Sequence, residues 1–324
     1  MSIALKNNNS GRSSFRIPLP LLDAAWATLT NKLRRDGLAE FSRSMVQLCF
    51  AENPLAAFIR HREVVAFFEQ PSMTPLRSMP FANKYLSGYL AKSLGKRARR
   101  EATLHNFRCI VERAEPDFLR RVLTGSYVLW SQDDERGCYS IRLTFNRLTH
   151  YEGDLSVVFI SGNKRIFELS FAIVPGSSVG SSTAELLCVG RVQGVKDQFE
   201  EIRRATKACK SVSPQRMLML AVEAIAASLD IPAIAGVTDQ EQLANLPNKY
   251  FVFDYNSFWE TWVERAQGQR FYEVPVPLPQ PAMEDVPPRH RHRARKRREF
   301  KRQVGLEIAD SLRAVFPVKA EAIA

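Results

Sequence analysis

The sequence predicts an α+β fold, in which a helical N-terminal part is followed by a mixed, mostly antiparallel sheet with crossover helices. Three changes of hydrophobic period predict this fold. Apolar residues recur at helical spacing up to about residue 115, four strand-length segments follow, and helical spacing then returns. The 324 residues are 45% hydrophobic and 25% charged, which is enough to bury a large core and argues against disorder along the whole chain.

The N-terminal part divides into a tail and a helical region. Residues 1–18 are mostly polar and include a run of asparagines and serines, so they predict a flexible tail. Residues 19–115 predict helices, because apolar side chains repeat on one face, as in the set Leu22, Trp26, Leu29 and Leu33.

A mixed core is expected over residues 116–282. Its strand segments are CYSIRLTFNRL, GDLSVVFISGN, KRIFELSFAIVPG and AELLCVGRVQG, and short turns between them predict an antiparallel meander. Residues 161–163 (Ser-Gly-Asn) predict a hairpin turn, because glycine and asparagine tolerate positive φ. The last strand is expected to end in a glycine turn at residues 190–194.

Two helices are expected after that turn. The first covers about 196–209, with Phe199, Ile202 and Cys209 facing inward. The second begins at Pro214 with Ser213 as its cap, and buries the stripe Leu218, Ala221, Val222, Ile225 and Leu229. Residues 231–237 then predict a strand parallel to the last meander strand, since a right-handed crossover would place it there.

The C-terminal residues 283–324 predict a basic helix with an apolar stripe at Val304, Ile308 and Leu312. The chain holds 46 lysines and arginines against 34 acidic residues, a net charge of +12. Residues 289–302 hold nine lysines and arginines and one glutamate, and so supply +8 of that charge. Such a run favours an anionic partner, such as a membrane surface or the phosphates of a cofactor. Nucleic acid is a less favoured partner, because no nucleic-acid-binding motif accompanies the run.

The five cysteines have no CxxC spacing, so the sequence predicts neither a metal motif nor a disulfide framework. The first residues lack the apolar segment of a signal peptide. These patterns favour a cytoplasmic protein, peripheral to the inner membrane if the basic run docks there. The oligomeric state stays open.

A phosphate-binding site is one interpretation of residues 190–216, because backbone N–H groups at a glycine turn and guanidinium groups both bind phosphate. The candidate cofactor-binding residues are Arg191, Gln193, Gly194, Arg203, Arg204, Thr206, Lys207 and Arg216, with Gly190 in the turn. The alternative is that the cations of the first helix form its solvated face. Periodicity alone favours this alternative, and no Walker or GxGxxG spacing is present.

Glu152 and His105 are the candidate catalytic bases, because a carboxylate or histidine at a strand end or helix face can take a proton from an amine or hydroxyl. His150, Asp254 and Tyr255 are weaker candidates for acid–base roles. Each residue also has a purely structural interpretation, and no Ser-His-Asp or Cys-His arrangement is visible in the sequence.

Several segments, taken in order, resemble the VirK/YbjX family of Gram-negative bacteria. They are NKYLSGYL, LHNFRCI, YEGDLSVVF, KRIFELSFAI, VGRVQG with EIRRATKACKSVSPQRMLML, IPAIAGVT, FDYNSFWE and RHRARKRREFKRQVGLEIAD, which together span roughly residues 80–316. The resemblance implies an envelope-related role in virulence or in resistance to antimicrobial peptides. The family's Gly-Leu-Arg-Pro-Lys element is replaced here by Ser-Val-Ser-Pro-Gln at 211–215, so two cationic groups and a glycine are missing.

The order of elements also resembles the core of GNAT-type acyltransferases, with an additional helix inserted at about 196–209. That resemblance implies an acyl-CoA or phosphopantetheine carrier as the cofactor, with an acyl carrier protein as a possible partner. We therefore expect an acyltransferase that moves an acyl group to an amine or hydroxyl. The alternative is a non-enzymatic basic peripheral protein that acts in envelope biogenesis.

Overall fold

The computed structural model describes residues 46–48, 51, 53–76, 81–146, 150–245 and 253–317. The tail expected over 1–18 and the first predicted helix face lie outside the described residues. The chain divides into two compact units, Met1–Ala66 and Phe67–Ala324. Helix α1 (Pro54–Glu69) begins in the first unit, where the Asn53 side chain accepts a hydrogen bond from Ala56 N at 3.0 Å.

The second unit carries the sheet and the helices that follow α1 in the sequence. Its longer helices are α2 (Lys96–Arg113), α3 (Pro116–Thr124), α5 (Phe199–Ala208), α6 (Pro214–Ser228) and α8 (Pro288–Arg313). Two shorter ones are α4 (Gly176–Val179) and α7 (Tyr255–Glu260), and 3-10 helices cover Pro71–Leu76, Phe81–Leu86 and His150–Glu152.

The described residues form one sheet of seven strands, which lie in the order of the sequence. The strands are β1 (Tyr127–Asp134), β2 (Gly137–Phe145), β3 (Leu155–Ser161), β4 (Lys164–Pro175), β5 (Glu185–Gly194), β6 (Ala233–Val237) and β7 (Phe271–Pro275). Strands β1 to β5 are antiparallel, β6 is parallel to β5, and β7 is antiparallel to β6. The predicted mixed, mostly antiparallel sheet is confirmed.

Helices cover both sides of this sheet. Helix α6 buries the predicted stripe from Leu218 to Leu229, and α8 buries Val304, Ile308 and Leu312. Phe300 of α8 meets Trp130 of β1 edge to face, with ring centroids 6.5 Å apart. A second cluster of rings joins the C-terminal end of α1, the 3-10 helix Phe81–Leu86, α2 and β2 through Phe68, Phe81, Phe107 and Phe145.

Three local predictions were wrong. Residues 190–194 form no glycine turn, because Gly194 still pairs with Phe167 of β4 and the strand continues to that residue. Phe199 does not face inward but is 70% exposed, since it is the first residue of α5 and the buried face begins at Ala205. Ser213 precedes α6 as predicted, but its side chain makes no capping hydrogen bond.

Candidate functional site

Strands β5 and β6 pair over only three residues, 187–189 opposite 234–236. β5 then continues to Gly194, whereas β6 ends at Val237. Beyond the paired part, side chains occupy the hydrogen-bonding groups of β5. Gln242 Nε2 donates to Gly190 O at 3.3 Å, and Val192 N donates to Tyr255 Oη at 3.0 Å. The two strands therefore diverge around a group of polar side chains.

Glu152, Arg191, Gln242 and Tyr255 form this group, which we call the wedge cluster. Glu152 is only 5% exposed, and its two oxygens accept from different donors. Arg191 Nη1 donates to Oε2 at 2.7 Å, and Gln242 Nε2 donates to Oε1. The structure thus brings together a predicted base and a predicted phosphate ligand, which bind each other as a buried, hydrogen-bonded ion pair.

Tyr255 begins α7 and is 1% exposed. Burial raises the pKa of Tyr255 to about 12, and the nearby Glu152 carboxylate contributes to this shift. The phenol is therefore neutral at physiological pH and keeps its proton for hydrogen bonding. Asp254, another acid–base candidate, caps α7 by accepting from Ser257 N at 2.8 Å, which is a structural position.

A tripeptide connects the wedge cluster to a second buried network. Gly153 separates Glu152 from Asp154, which is fully buried and pairs with the equally buried Lys84. Asp154 also accepts hydrogen bonds from Tyr89 Oη and, at 2.9 Å, from Asn106 Nδ2. Burial lowers the pKa of Lys84, while Asp154 acts in the opposite direction. Nothing in the sequence pattern identified this network, because its members lie on three separate segments.

The predicted phosphate ligands of α5 lie apart from the wedge cluster. Arg203 and Arg204 are exposed and form ion pairs within the helix, with Glu200 and Glu201. Lys207 is also exposed, and Thr206 Oγ1 donates to Ile202 O at 2.7 Å. Gln193 and Gly194 are strand residues on β5, the first of them exposed. These positions fit the solvated-face alternative for the helix cations.

Arg216, the remaining predicted ligand, belongs to a cationic cluster with Trp262, Arg297 and Lys301. Its guanidinium carbon lies 5.5 Å from the centre of the Trp262 ring. None of the described acidic side chains forms an ion pair with the three cations, and the buried Nε atoms of Trp262 and Arg297 have no hydrogen-bond partner among the described residues. Partial burial and mutual repulsion lower the pKa of both Arg216 and Lys301. The Glu223 carboxylate opposes this shift at Lys301, but the cluster keeps an excess of positive charge that an anion could neutralise.

His105 lies elsewhere, in a cluster with Cys109, Arg113 and Glu185. His105 Nε2 is 3.0 Å from Glu185 Oε2 and 3.3 Å from Cys109 Sγ, and Arg113 Nη2 is 2.7 Å from Glu185 Oε1. Burial raises the pKa of the Cys109 thiol to about 12. Burial also acts to raise the pKa of Glu185, but hydrogen bonds from His105 and Arg113 outweigh it and bring that pKa to about 2. The side chain of His150 lies outside the described residues.

A cavity of about 1430 Å³ lies beside this cluster, between the C-terminal halves of α6 and α8. Glu185 and Arg113 line one part of it, and Glu223, Lys301 and Leu306 line another. Its wall combines apolar surface with acidic and basic groups, so an occupant would need polar groups to pair with these charges. Among the described residues, no helix is long and apolar enough to cross a bilayer.

Comparison with known proteins identifies the family. The sequence model of a family described as "Protein of unknown function (DUF535)" matches residues 47–310. The uncharacterized protein YbjX of Escherichia coli (strain K12) is 24% identical over 236 residues, which cover 69% of this chain and 70% of that protein. An uncharacterized protein of Haemophilus influenzae is 23% identical over 239 residues, 70% of this chain and 75% of that protein. No solved structure matches the chain. The chain belongs to the DUF535 family, and the VirK/YbjX resemblance of its sequence is thereby confirmed.

Proposed function

We propose that the protein transfers an acyl group from a phosphopantetheine thioester, carried by CoA or by an acyl carrier protein, to an amine or hydroxyl. The divergence of β5 from β6, with a buried carboxylate between them, is the observation that carries this proposal. A diverging strand edge offers main-chain groups to an extended amide-containing arm, as in β-strand addition. The Glu152 carboxylate lies at the same place and supplies a proton acceptor.

Binding of the arm between β5 and β6 requires the side chains of the wedge cluster to rearrange. Gln242 and Tyr255 already bind Gly190 O and Val192 N, the two β5 groups that an arm would use. The donor's amides would replace these hydrogen bonds, and both side chains would move aside. Gly190 lets the main chain of Glu152 pack directly against β5, because an added Cβ would overlap that main chain.

The cationic cluster is the proposed phosphate site. Arg216 and Lys301 have no acidic partner at ion-pair distance, whereas the α5 cations Arg203 and Arg204 do. A phosphate would supply the missing negative charge and accept from the unpaired Nε–H groups of the cluster. Helix α7 links this site to the wedge cluster. Tyr255 of the wedge cluster begins α7, and Trp262 of the cationic cluster follows its end, seven residues and roughly 10 Å further along.

The chemical step needs one proton acceptor. Glu152 takes the proton from the acceptor amine or hydroxyl, whose nitrogen or oxygen then attacks the thioester carbonyl carbon. The carbon–sulfur bond breaks, and the departing thiolate receives the proton that Glu152 has taken. Arg191 holds Glu152 in place throughout and is a positioning residue.

Isothermal titration with CoA, acyl-CoA and acyl carrier protein tests the donor site. We expect Arg216→Ala/Lys301→Ala to weaken binding at least about tenfold, the loss of roughly one charge-assisted contact. Arg203→Ala/Arg204→Ala removes two cations from α5 and is the matched control. Loss of binding in the control alone would move the phosphate site to α5. If the wild-type protein binds none of these donors, the proposal is wrong.

Docking on an anionic membrane surface is the second candidate function. Helix α8 keeps most of its basic residues exposed, including Arg289, Arg293, Arg295, Lys296 and Arg302. Each such residue contributes on the order of 1 kcal/mol near an anionic bilayer at low salt. An envelope-related role would follow without any enzymatic step.

Vesicle flotation separates this candidate from the first. Arg289→Glu/Arg293→Glu/Arg295→Glu/Lys296→Glu should abolish flotation with phosphatidylserine vesicles. The same charge change on α5 and the turn after it, Arg203→Glu/Arg204→Glu/Lys207→Glu/Lys210→Glu, should not. Flotation that both variants keep, or both lose, would show that α8 is not a specific membrane-binding surface.

A further inference from the structure

Helix α2 and the first residue of β5 bring three side chains with metal-binding atoms to one point. His105 and Cys109 lie four residues apart and so share a face of α2. Glu185 begins β5, opposite that face. The three atoms His105 Nε2, Cys109 Sγ and Glu185 Oε2 lie within 4.8 Å of one another. This arrangement is separate from the wedge and cationic clusters.

The spacing of these atoms fits a tetrahedral metal ion. They form a triangle with sides of 3.0 Å (N to O), 3.3 Å (N to S) and 3.6 Å (S to O). Bonds of about 2.0–2.3 Å at tetrahedral angles to Zn²⁺ place such ligand atoms about 3.3–3.6 Å apart. The side chains would need to shift by only about 0.3 Å to bind the ion.

Hydrogen bonds join the same three atoms that a metal ion would bind. His105 Nε2–H and the Cys109 thiol can both donate to Glu185 Oε2, at 3.0 Å and 3.6 Å. The 3.3 Å contact between Nε2 and Sγ is also within hydrogen-bond distance, with the donor and acceptor set by the imidazole tautomer. A metal ion would replace these hydrogen bonds, since all three atoms can become electron-pair donors to it once the protons leave.

The surrounding charges are compatible with a divalent cation. A Cys109 thiolate and the Glu185 carboxylate would neutralise it, while His105 would bind as a neutral imidazole. Arg113 donates to the other carboxylate oxygen, Oε1, and so leaves Oε2 directed at the cluster. A mixed nitrogen, sulfur and oxygen set favours zinc, cobalt or nickel over magnesium and calcium.

We propose that His105, Cys109 and Glu185 bind one divalent transition-metal ion of the zinc class, with Arg113 positioning the Glu185 carboxylate. Three protein ligands leave a fourth position for water or a ligand, the arrangement typical of catalytic rather than structural zinc. Glu185 and Arg113 also line the cavity between α6 and α8, so the metal would lie at the wall of that cavity. The helical His-Cys spacing was visible in the sequence, but without Glu185 it did not indicate a metal.

Cobalt titration of the chelator-treated full-length chain tests the proposal, with no need for a known activity. We expect one equivalent of Co²⁺ to bind with a thiolate-to-metal charge-transfer band, and Zn²⁺ to displace it. Cys109→Ser should lose the band. Cys138→Ser should keep it, and this control removes an exposed thiol that lies 3.1 Å from Asp133 and could bind metal adventitiously.

A second pair of measurements keeps the result interpretable if a variant folds poorly. Circular dichroism establishes folding, and Zn²⁺ should raise the melting temperature of the wild type and of Cys138→Ser but not of Glu185→Gln or His105→Gln. The proposal is overturned if folded Cys109→Ser gives the wild-type cobalt spectrum, or if the wild type binds no cobalt at micromolar concentration.

Discussion

Gly153 is the residue on which both buried networks depend, because it separates Glu152 from Asp154. Its φ is +146°, a conformation that side-chain-bearing residues rarely adopt, and an added Cβ would overlap the main chain of Phe171. We expect Gly153→Ala to destabilise the fold by about 3 kcal/mol or more, the range of combined backbone strain and steric overlap. Urea denaturation measures this free energy.

Gly162→Ala is the matched control for Gly153→Ala. Gly162 also has positive φ, +59°, but no atom lies near an added Cβ, so only the conformational penalty remains. That penalty is about 1 kcal/mol. Equal losses in the two variants would contradict the close packing of Gly153 against Phe171.

Lys84 and Asp154 form an ion pair in which neither side chain is more than 1% exposed. Removing one partner leaves a buried charge without compensation, so Lys84→Met and Asp154→Asn should each cost about 3–5 kcal/mol. The double variant should cost clearly less than the sum, because no charge remains to be buried. A double-mutant cycle by chemical denaturation gives the coupling energy.

Arg97 and Glu101 provide the control for that cycle. They form an exposed ion pair on α2 with the side chain of Arg97 87% exposed. Solvent screens such a pair, so we expect no measurable coupling between them. Additive effects at Lys84 and Asp154 as well would show that the buried pair is not a coupled unit.

Helix α8 combines a cationic surface with an apolar stripe, and these two parts should respond differently to mutation. Ile308 is fully buried, whereas Leu306 on the same helix is 45% exposed. We expect Ile308→Ala to cost about 2–5 kcal/mol in unfolding free energy and Leu306→Ala less than about 1 kcal/mol. Thermal and urea denaturation of the two variants provide the comparison.

The same apolar stripe makes a truncation that removes α8 unsuitable as a test of membrane binding. A truncation at Val286 would delete Val304, Ile308 and Leu312 together and expose the core that they cover. Charge-reversal variants avoid this, since they alter only exposed residues. Similar stability losses for Ile308→Ala and Leu306→Ala would mean that α8 does not bury Ile308 in the core of the second unit as described.

Across the whole molecule, the sequence predicted the parts with a regular hydrophobic period. Strands β2 to β5 and helices α6 and α8 were found because their apolar faces are long and repeat at one spacing. Strands β1 and β7 were missed because they are the two edges of the sheet, and β7 has only five residues. Five residues are too few to establish a period, and the polar end of β1, Ser-Gln-Asp-Asp, interrupts its apolar pattern.

The clusters were harder to predict than the strands, because each one joins distant segments. Gln242 reaches Glu152 across 90 residues, and Glu185 reaches His105 across 80. Glu152, Arg191, His105 and Arg216 were identified by residue type, but their partners follow only from the topology of the sheet. Spacing along the chain therefore identified candidates without their contacts.

Tyr255 tests whether the wedge between β5 and β6 can open for a donor. Tyr255→Phe keeps the ring but removes the oxygen that accepts from Val192 N. The variant should lose about 1 kcal/mol of stability and exchange the Val192 amide faster. If an acyl donor binds to β5 as proposed, it no longer competes with the Tyr255 hydroxyl in this variant, so the affinity for the donor should rise by up to about tenfold.

Tyr272→Phe is the control for Tyr255→Phe. It removes a hydroxyl of β7 that donates to Glu260, and it should change neither exchange at Val192 nor donor affinity. Weaker donor binding by Tyr255→Phe would show instead that the phenol contacts the donor. Unchanged binding with faster exchange would show that the donor does not bind at this edge of β5.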